Sequence, residues 1–350
     1  MSHITQHTLP THAEVCTRLP LSPELRSKIE QDRLEIENIL MGRDPRKFMI
    51  IGPCSSWPSE EVVEYARRLA PLAEELQDVI KIVMRTYIQK PRTIAGWMGP
   101  LVQPDPFAEP HIPTGIFYCR EMMLQVLETG LPIADEILFP RYQSYFRDLL
   151  TWAAIGARSS ENQEHRVVAS LLEFPIGVKN PTSGSIPIGI NSVLACQTPN
   201  FMAVAENQVK TSGNPCAHLV LRGGNGNHNI GQEHLEQTVQ LLQEKCVQNP
   251  SVVIDISHDN TRDENGVKQY ERQTEVLWET LDIMSQNPKI MSTVKGWMAE
   301  SFLEEGSQNL AKCSHDSVIP GKSVTDGCLG WDATQDLLIT LAHKLRTTSS

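Results

Sequence analysis

From residue 47 onward the chain alternates short apolar runs with longer amphipathic segments. The runs are Phe48–Ile51, Ile80–Met84, Ile133–Leu138, Ala153–Ala157, Phe174–Val178, His218–Leu221, Val252–Ile256 and Ile290–Val294. Several are nearly continuous apolar stretches, the pattern of parallel strands covered on both faces. Between them apolar positions recur at helical spacing, as in Val62/Ala66/Leu69 and Leu235/Val239/Leu242, with a further stretch from Val276 to Ile283. A last helix, opened by Asp332, carries Leu337, Leu338, Leu341 and Leu345. About eight strand–helix repeats over roughly 250–300 residues predict a (β/α)8 TIM barrel. An open, doubly wound sheet would share the alternation, but no G-x-G-x-x-G fingerprint follows the first run. Residues 1–21, with Pro10 and Pro20, read as an irregular polar arm. A helix then follows from Ser22 as N-cap and Pro23 at its first position, with Leu25, Ile29, Ile36, Ile39 and Leu40 as its apolar stripe and Gly42 as its stop. The expected division is an N-terminal arm and helix over 1–46 and a barrel catalytic domain over 47–350.

Charge narrows the range of partners. Lys and Arg number 31 against 42 Asp and Glu, a formal net charge of −11. Such a surface disfavours binding to a nucleic-acid backbone or to an anionic membrane. No apolar run approaches the length of a membrane span, and no basic segment precedes an apolar one at the N-terminus. The eight cysteines form no C-x-x-C pair, which suits a reducing compartment rather than a disulfide scaffold. These features lead us to expect a cytoplasmic location, with neither nucleic acid nor membrane as partner.

In a barrel the βα loops converge at the C-terminal ends of the strands, so chemistry is sought there. At or just past the apolar runs stand, in order, Cys54, Arg85, Glu136, Arg158, Lys179, Arg222, His258 and Glu300. Each alone fits an ordinary surface position, and a buried structural cysteine is the commoner fate of Cys54. All eight in phase with the strand pattern point instead to a site. Four cations brought together near a barrel core need an anionic counterpart, and guanidinium groups take carboxylate or phosphate bidentately. Cys54, His258, Glu300 and the later Asp326 form a candidate metal set. Thiolate, imidazole and carboxylate together suit a divalent first-row ion such as Mn, Fe, Co or Zn. Lys90-Pro-Arg-Thr93 follows the second run, where Arg92 and the Thr93 hydroxyl are placed to clamp a second phosphate. His218 lies within a strand and reads as core. Gly223-Gly-Asn-Gly226 reads as a turn.

Together these motifs resemble type I 3-deoxy-D-arabino-heptulosonate-7-phosphate (DAHP) synthase, of the feedback-regulated bacterial and fungal kind, over roughly residues 8–347. The motifs are Ile51-Gly-Pro-Cys-Ser55, Met84-Arg85, Lys90-Pro-Arg-Thr93, Ala154-Ile-Gly-Ala-Arg158, Gly177-Val-Lys-Asn180, Leu221-Arg-Gly-Gly224, Asp255-Ile-Ser-His258, Glu300-Ser301 and Thr325-Asp326. The resemblance implies metal-dependent condensation of phosphoenolpyruvate (PEP) with erythrose 4-phosphate to give DAHP and phosphate, at the entry to aromatic amino-acid synthesis. It implies that Cys54, His258, Glu300 and Asp326 hold a divalent metal. Arg85, Arg158, Lys179, Arg222 and the Ala157 backbone N–H would hold PEP, and Lys90, Arg92 and Thr93 the aldose phosphate. Lys90, Glu136 and His258 form the implied catalytic set, with Lys90 protonating the new alkoxide and Glu136 handling the attacking water. The KPRT loop favours erythrose 4-phosphate over arabinose 5-phosphate. Homodimers or homotetramers are the implied assemblies.

The sequence departs from the family at several places. Met98 stands in Gly96-Trp-Met-Gly99 where the family usually has Lys, and Lys179-Asn-Pro-Thr-Ser-Gly184 replaces a more usual N-G-T-D-G loop. Phe139-Pro-Arg-Tyr-Gln143 lacks the T-P-Q-Y pattern, the extra hairpin expected at 201–211 looks about four residues short, and 259–269 looks expanded with loss of an N-S-x-K feature. The arm ahead of Pro10 looks too short for the acidic segment that helps bind an aromatic effector. Weakened or absent feedback by Phe, Tyr or Trp is therefore expected. Two alternatives stand beside the leading reading. One is a paralogue joining PEP to another phosphorylated aldehyde in specialised metabolism; the other is a catalytically silent barrel. Cys328, two residues after Asp326, is expected near Cys54, where oxidation would remove a metal ligand.

Overall fold

A computed structural model describes residues 4–92, 96–204 and 206–348. Eight parallel strands close into a barrel: β1 (Lys47–Gly52), β2 (Ile80–Arg85), β3 (Ile133–Glu136), β4 (Trp152–Ile155), β5 (Ile176–Lys179), then β8 (Ala217–Leu221), β9 (Val252–Asp255) and β10 (Val294–Glu300), which returns to pair with β1. Between β5 and β8 lies a hairpin outside the barrel, β6 (Phe201–Val204) with β7 (Asn207–Lys210). The helices α3 (Ser59–Glu75), α4 (Ile112–Glu128), α5 (Gln163–Ala169), α6 (Ile186–Gln197), α7 (Gln232–Glu244), α8 (Gln273–Gln286), α9 (Pro288–Thr293) and α10 (Trp331–Thr348) connect and cover the strands. The architecture is the (β/α)8 barrel that the alternation predicts.

Before the barrel, α2 (Pro23–Leu40) starts where the sequence places it, with the Ser22 hydroxyl accepting from Leu25 N–H and Pro23 at its first position. Gly42 ends it in left-handed backbone, φ 72°. The arm, however, is not wholly irregular. A short helix, α1 (His12–Arg18), forms because Thr11 and Glu14 cap it reciprocally, a capping box that the reading of 1–21 overlooked. From α2, Arg33 donates to the carbonyls of Leu150 and Arg147 and lies over the Phe174 ring, tying the helix to the barrel wall.

The eighth strand needs a larger correction. Ile290–Val294 is not the strand: Pro288–Thr293 is α9, capped by the Asn287 side chain, which accepts from Lys289 N–H and Ile290 N–H. The strand is Val294–Glu300, whose Lys295, Gly296 and Glu300 broke the apolar pattern. At the hairpin, Val204 pairs with Asn207.

Side chains alternate between the barrel interior and the helix-facing shell. Phe48, Ile50, Val83, Ala134, Trp152, Ala154, Val220, Val253 and Met298 fill the interior, while a second, larger cluster joins sheet to helices. Gly177 makes room for this filling. A Cβ there would lie 2.3 Å from the Trp152 ring and 2.6 Å from Val220. His218 is core, as read: its Nε2 accepts from the Trp152 indole at 3.2 Å, and Nδ1 donates to Cys216 O at 2.9 Å. Among the described residues no helix is long and apolar enough to cross a membrane.

Candidate active site

The interior period of two continues upward and changes character at the C-terminal mouth. Two residues beyond Val83, Ala134, Val220, Val253 and Met298 stand Arg85, Glu136, Arg222, Asp255 and Glu300. The same backbone geometry that buries the core aims these polar side chains inward above it. Arg85, Glu136, Arg222 and Glu300 line a cleft of about 780 Å³ together with Lys90, Arg92, Trp97, Ala157, Arg158, Lys179, His258, Lys268 and Asp326, while Asp255 is fully buried behind Lys179 and His258. The strand ends and the Lys90–Arg92 loop are thus brought to one place. Thr93 lies outside the described residues.

At the floor, ligand atoms of Cys54, Glu300 and Asp326 lie within 4.8 Å of one another. The Cys54 thiol donates toward Asp326 Oδ2 at 3.7 Å. Burial pushes that thiol up to about 11, with the charges on Glu300 and Asp326 adding to the effect and Lys90 opposing it. Burial also works against charge on Lys90, but Cys54, Glu300 and Asp326 outweigh it and raise its pKa. Its Nζ donates to Cys54 O at 2.6 Å and contacts Cys54 Sγ at 3.0 Å. Asp326 is held down at about 2. Its partial desolvation at this exposed edge of the trio favours the neutral acid, but His258, Lys90 and Lys268 win.

His258 stands outside the mutually close trio, yet its Nε2 is 3.9 Å from Glu300 Oε1. Its Nδ1 is 2.9 Å from Asp255 Oδ2 and 2.7 Å from Ser257 Oγ. A carboxylate that accepts a hydrogen bond from Nδ1–H leaves the Nε2 lone pair facing the trio, the arrangement by which metal-binding histidines are oriented. The donor set of one thiol, one imidazole and two carboxylates fits a divalent first-row ion. Cys328, fully buried, lies beside Cys54, and both thiols are free.

The cations surround this floor. Arg85, 1% exposed, reaches Glu300 Oε1 at 3.2 Å and stacks on the Tyr87 ring at 4.1 Å, while its Nε and Nη1 have no hydrogen-bond partner. Lys179 pairs with Asp255 at 2.9 Å, and Arg222 lies 3.8 Å from Asp259. Lys179 and His258 share Asp255, whose carboxyl they hold well below the usual range despite its burial. Buried Asn180 accepts from Arg222 N–H and from Asn229, which fixes the start of the loop after β8. Arg92 Nε donates to Trp97 O at 2.7 Å, and Trp97 stands edge-on to Trp57 in an apolar roof with Val324.

Reading strand ends alone missed Asp255 and Lys268. Asp255 follows Val253 by two, so the interior period would have found it. Lys268 closes the expanded 259–269 loop, where an antiparallel bridge to Arg262 returns it to the cleft. Met98 is 40% exposed and does not line the cleft.

A closed barrel whose C-terminal mouth gathers Arg and Lys side chains around a thiol and carboxylates defines an enzyme for anionic substrates. The sequence matches the DAHP synthetase I family over residues 24–339. It is 39% identical over 350 residues to the phospho-2-dehydro-3-deoxyheptonate aldolase of Corynebacterium glutamicum, with 97% of this chain and 92% of that protein covered. To the Trp-sensitive phospho-2-dehydro-3-deoxyheptonate aldolase of Escherichia coli K12 it is 37% identical over 345 residues, covering 97% and 96%. A solved structure of phospho-2-dehydro-3-deoxyheptonate aldolase from Francisella tularensis SCHU S4 matches with a TM-score of 0.91 at 30% identity, over 98% of each chain. The chain belongs to the DAHP synthetase I family and is an enzyme of the type I DAHP synthase class.

Proposed function

We propose that this enzyme condenses PEP with erythrose 4-phosphate and water to give DAHP and inorganic phosphate, with residues 47–350 as its catalytic domain and 1–46 as an appended arm and helix. The observation that carries the reading is Arg85. A buried guanidinium with two unpartnered N–H groups, facing a cleft with Arg158, Lys179 and Arg222, calls for a multiply charged anion. The Ala157 backbone N–H adds to the phosphate end. Arg92 and Thr93 suit the phosphate of the acceptor, and Arg92 is steadied for it by Trp97. Cys54, His258, Glu300 and Asp326 would hold a divalent ion, of Mn, Fe, Co or Zn type. When bound, the ion supplies Lewis-acid polarisation of the acceptor aldehyde.

The chain's own groups then have the following tasks. The cations hold two mutually repelling anions close, with C3 of PEP facing the aldehyde carbon. As the C3–C1 bond forms, Lys90 gives a proton to the aldehyde oxygen, a role suited to an ammonium that its neighbours keep charged. Glu136 orients and deprotonates water adding at C2. The hemiketal phosphate so formed loses inorganic phosphate by C–O cleavage, which leaves the C2 ketone.

The test is phosphate release from PEP with erythrose 4-phosphate, arabinose 5-phosphate or ribose 5-phosphate, before and after chelation. Turnover with erythrose 4-phosphate that chelator abolishes and a divalent ion restores is expected. Preference for another aldose phosphate would favour the paralogue, and no turnover with any acceptor the silent barrel. We further propose weakened aromatic feedback, supported by the Val204–Asn207 pairing that ends the β6–β7 hairpin. Strong inhibition by Phe, Tyr or Trp in the same assay contradicts it. A homodimer or homotetramer in the cytoplasm completes the proposal.

A further inference from the structure

β10 is supported unequally along its length. On one flank it pairs with β1 up to Gly52↔Glu300, and Ser301 N–H donates to Gly52 O. On the other, β9 accompanies it only to Met298↔Asp255, with Ile256 N–H still reaching Met298 O at 2.9 Å. The chain then leaves the ladder. His258 adopts left-handed backbone, φ 58°, and opens a 3-10 turn that carries its ring into the cleft. No β9 residue is left to pair with Glu300, at the level where its carboxylate joins Cys54 and Asp326.

Gln273, the first residue of α8, fills that place. Its Oε1 accepts from Glu300 N–H at 2.7 Å, and its Nε2 donates to Glu300 O at 2.9 Å. The side chain is fully buried. A primary carboxamide offers the same donor and acceptor as a peptide unit, so it can stand in for one more residue of a neighbouring strand. β9 can therefore end early enough for His258 to enter the site while Glu300 keeps its register.

We infer that Gln273 is a positioning residue, which fixes the Glu300 carboxylate for divalent-ion binding by completing the β10 ladder. The inference rests on the metal reading above. A second buried residue of the same helix supplies the control. Thr280 accepts from the indole of Trp297, also on β10, and does not touch the site. The variants are Gln273→Met, which removes both hydrogen bonds; Gln273→Glu, which keeps the acceptor; and Thr280→Val.

Each full-length protein, stripped with chelator, is titrated with Mn2+ by calorimetry and with Co2+ by its thiolate absorption band. Gln273→Met should weaken Mn2+ binding about 10- to 100-fold and perturb the Co2+ band. Gln273→Glu should fall between it and the wild type, and it decides the matter if Gln273→Met does not fold. Thr280→Val, at a comparable loss of Tm, should bind both ions as the wild type does. Unchanged Mn2+ affinity in a folded Gln273 variant overturns the inference, as does an equal loss in Thr280→Val. A wild type that binds neither ion overturns the metal reading itself.

Discussion

Two positions show how single side chains set the chemistry. A Cβ at Gly156 would lie 2.2 Å from Glu136 Oε1 and 2.8 Å from its Cδ, so the carboxylate occupies space that only glycine leaves open. Because the clash is with the end of a flexible side chain, Gly156→Ala should fold with near-native Tm while kcat falls by about a hundredfold, the low end of what a placed acid–base group contributes. Steady-state kinetics beside thermal melts check this, and an undiminished kcat would remove Glu136 from the reaction. Asp255 is the other case, since it neutralises buried Lys179 and orients His258 at once. Asp255→Asn leaves Lys179 buried without its counter-charge, a loss expected to reach about 3 kcal/mol or more. Chemical denaturation would measure it, and a loss under about 1 kcal/mol would show that water takes over the ammonium. Residue types at strand ends were legible in the chain, but a carboxylate shared by two partners was not. That relation needs the tips of β5 and β9 in one place.

At the scale of elements, β4 and β8 meet inside the barrel through Trp152 and His218. Burial lowers the His218 pKa to about 4 from its ordinary 6.5, against the backbone hydrogen bond to Cys216. The unfolded chain therefore binds the proton first. Stability contributed by neutral His218 is complete above about pH 6.5 and drains as pH falls toward 4, by about 3 kcal/mol in all. Urea titrations between these pH values should show that slope, and His218→Gln should flatten it. An equal slope in the variant would assign the acid sensitivity to other groups. The elements were legible where their apolar period was clean, as in β1, β2 and β9. They were misread where caps and interruptions dominated. The Asn287 cap made a helix of Ile290–Thr293, and Gly296 inside the true strand disguised it. Gly296 has its own tertiary reason, because a Cβ there would lie 2.0 Å from Phe48 O on β1.

Across the whole molecule, a chain of net charge −11 concentrates cations at one mouth of its barrel, so a small anion should stabilise it. PEP at about a hundred times its Kd should add ~2.7 kcal/mol to the unfolding free energy and raise Tm measurably, and a Tm indifferent to PEP would argue that the cleft is built for something else. Local patterning by itself determined much of this protein. Strand and helix periods, the Ser22-Pro23 start of α2, the glycine stop after it and the set of polar residues at strand ends are all short-range properties, encoded within a few residues. Closure of the sheet decided the rest. It brought Cys54 within reach of Asp326, 272 positions later, let one carboxylate serve Lys179 and His258, and placed the Gln273 amide where β9 falls away. Such contacts depend on distances between chain segments far apart in order, and no local period carries that information.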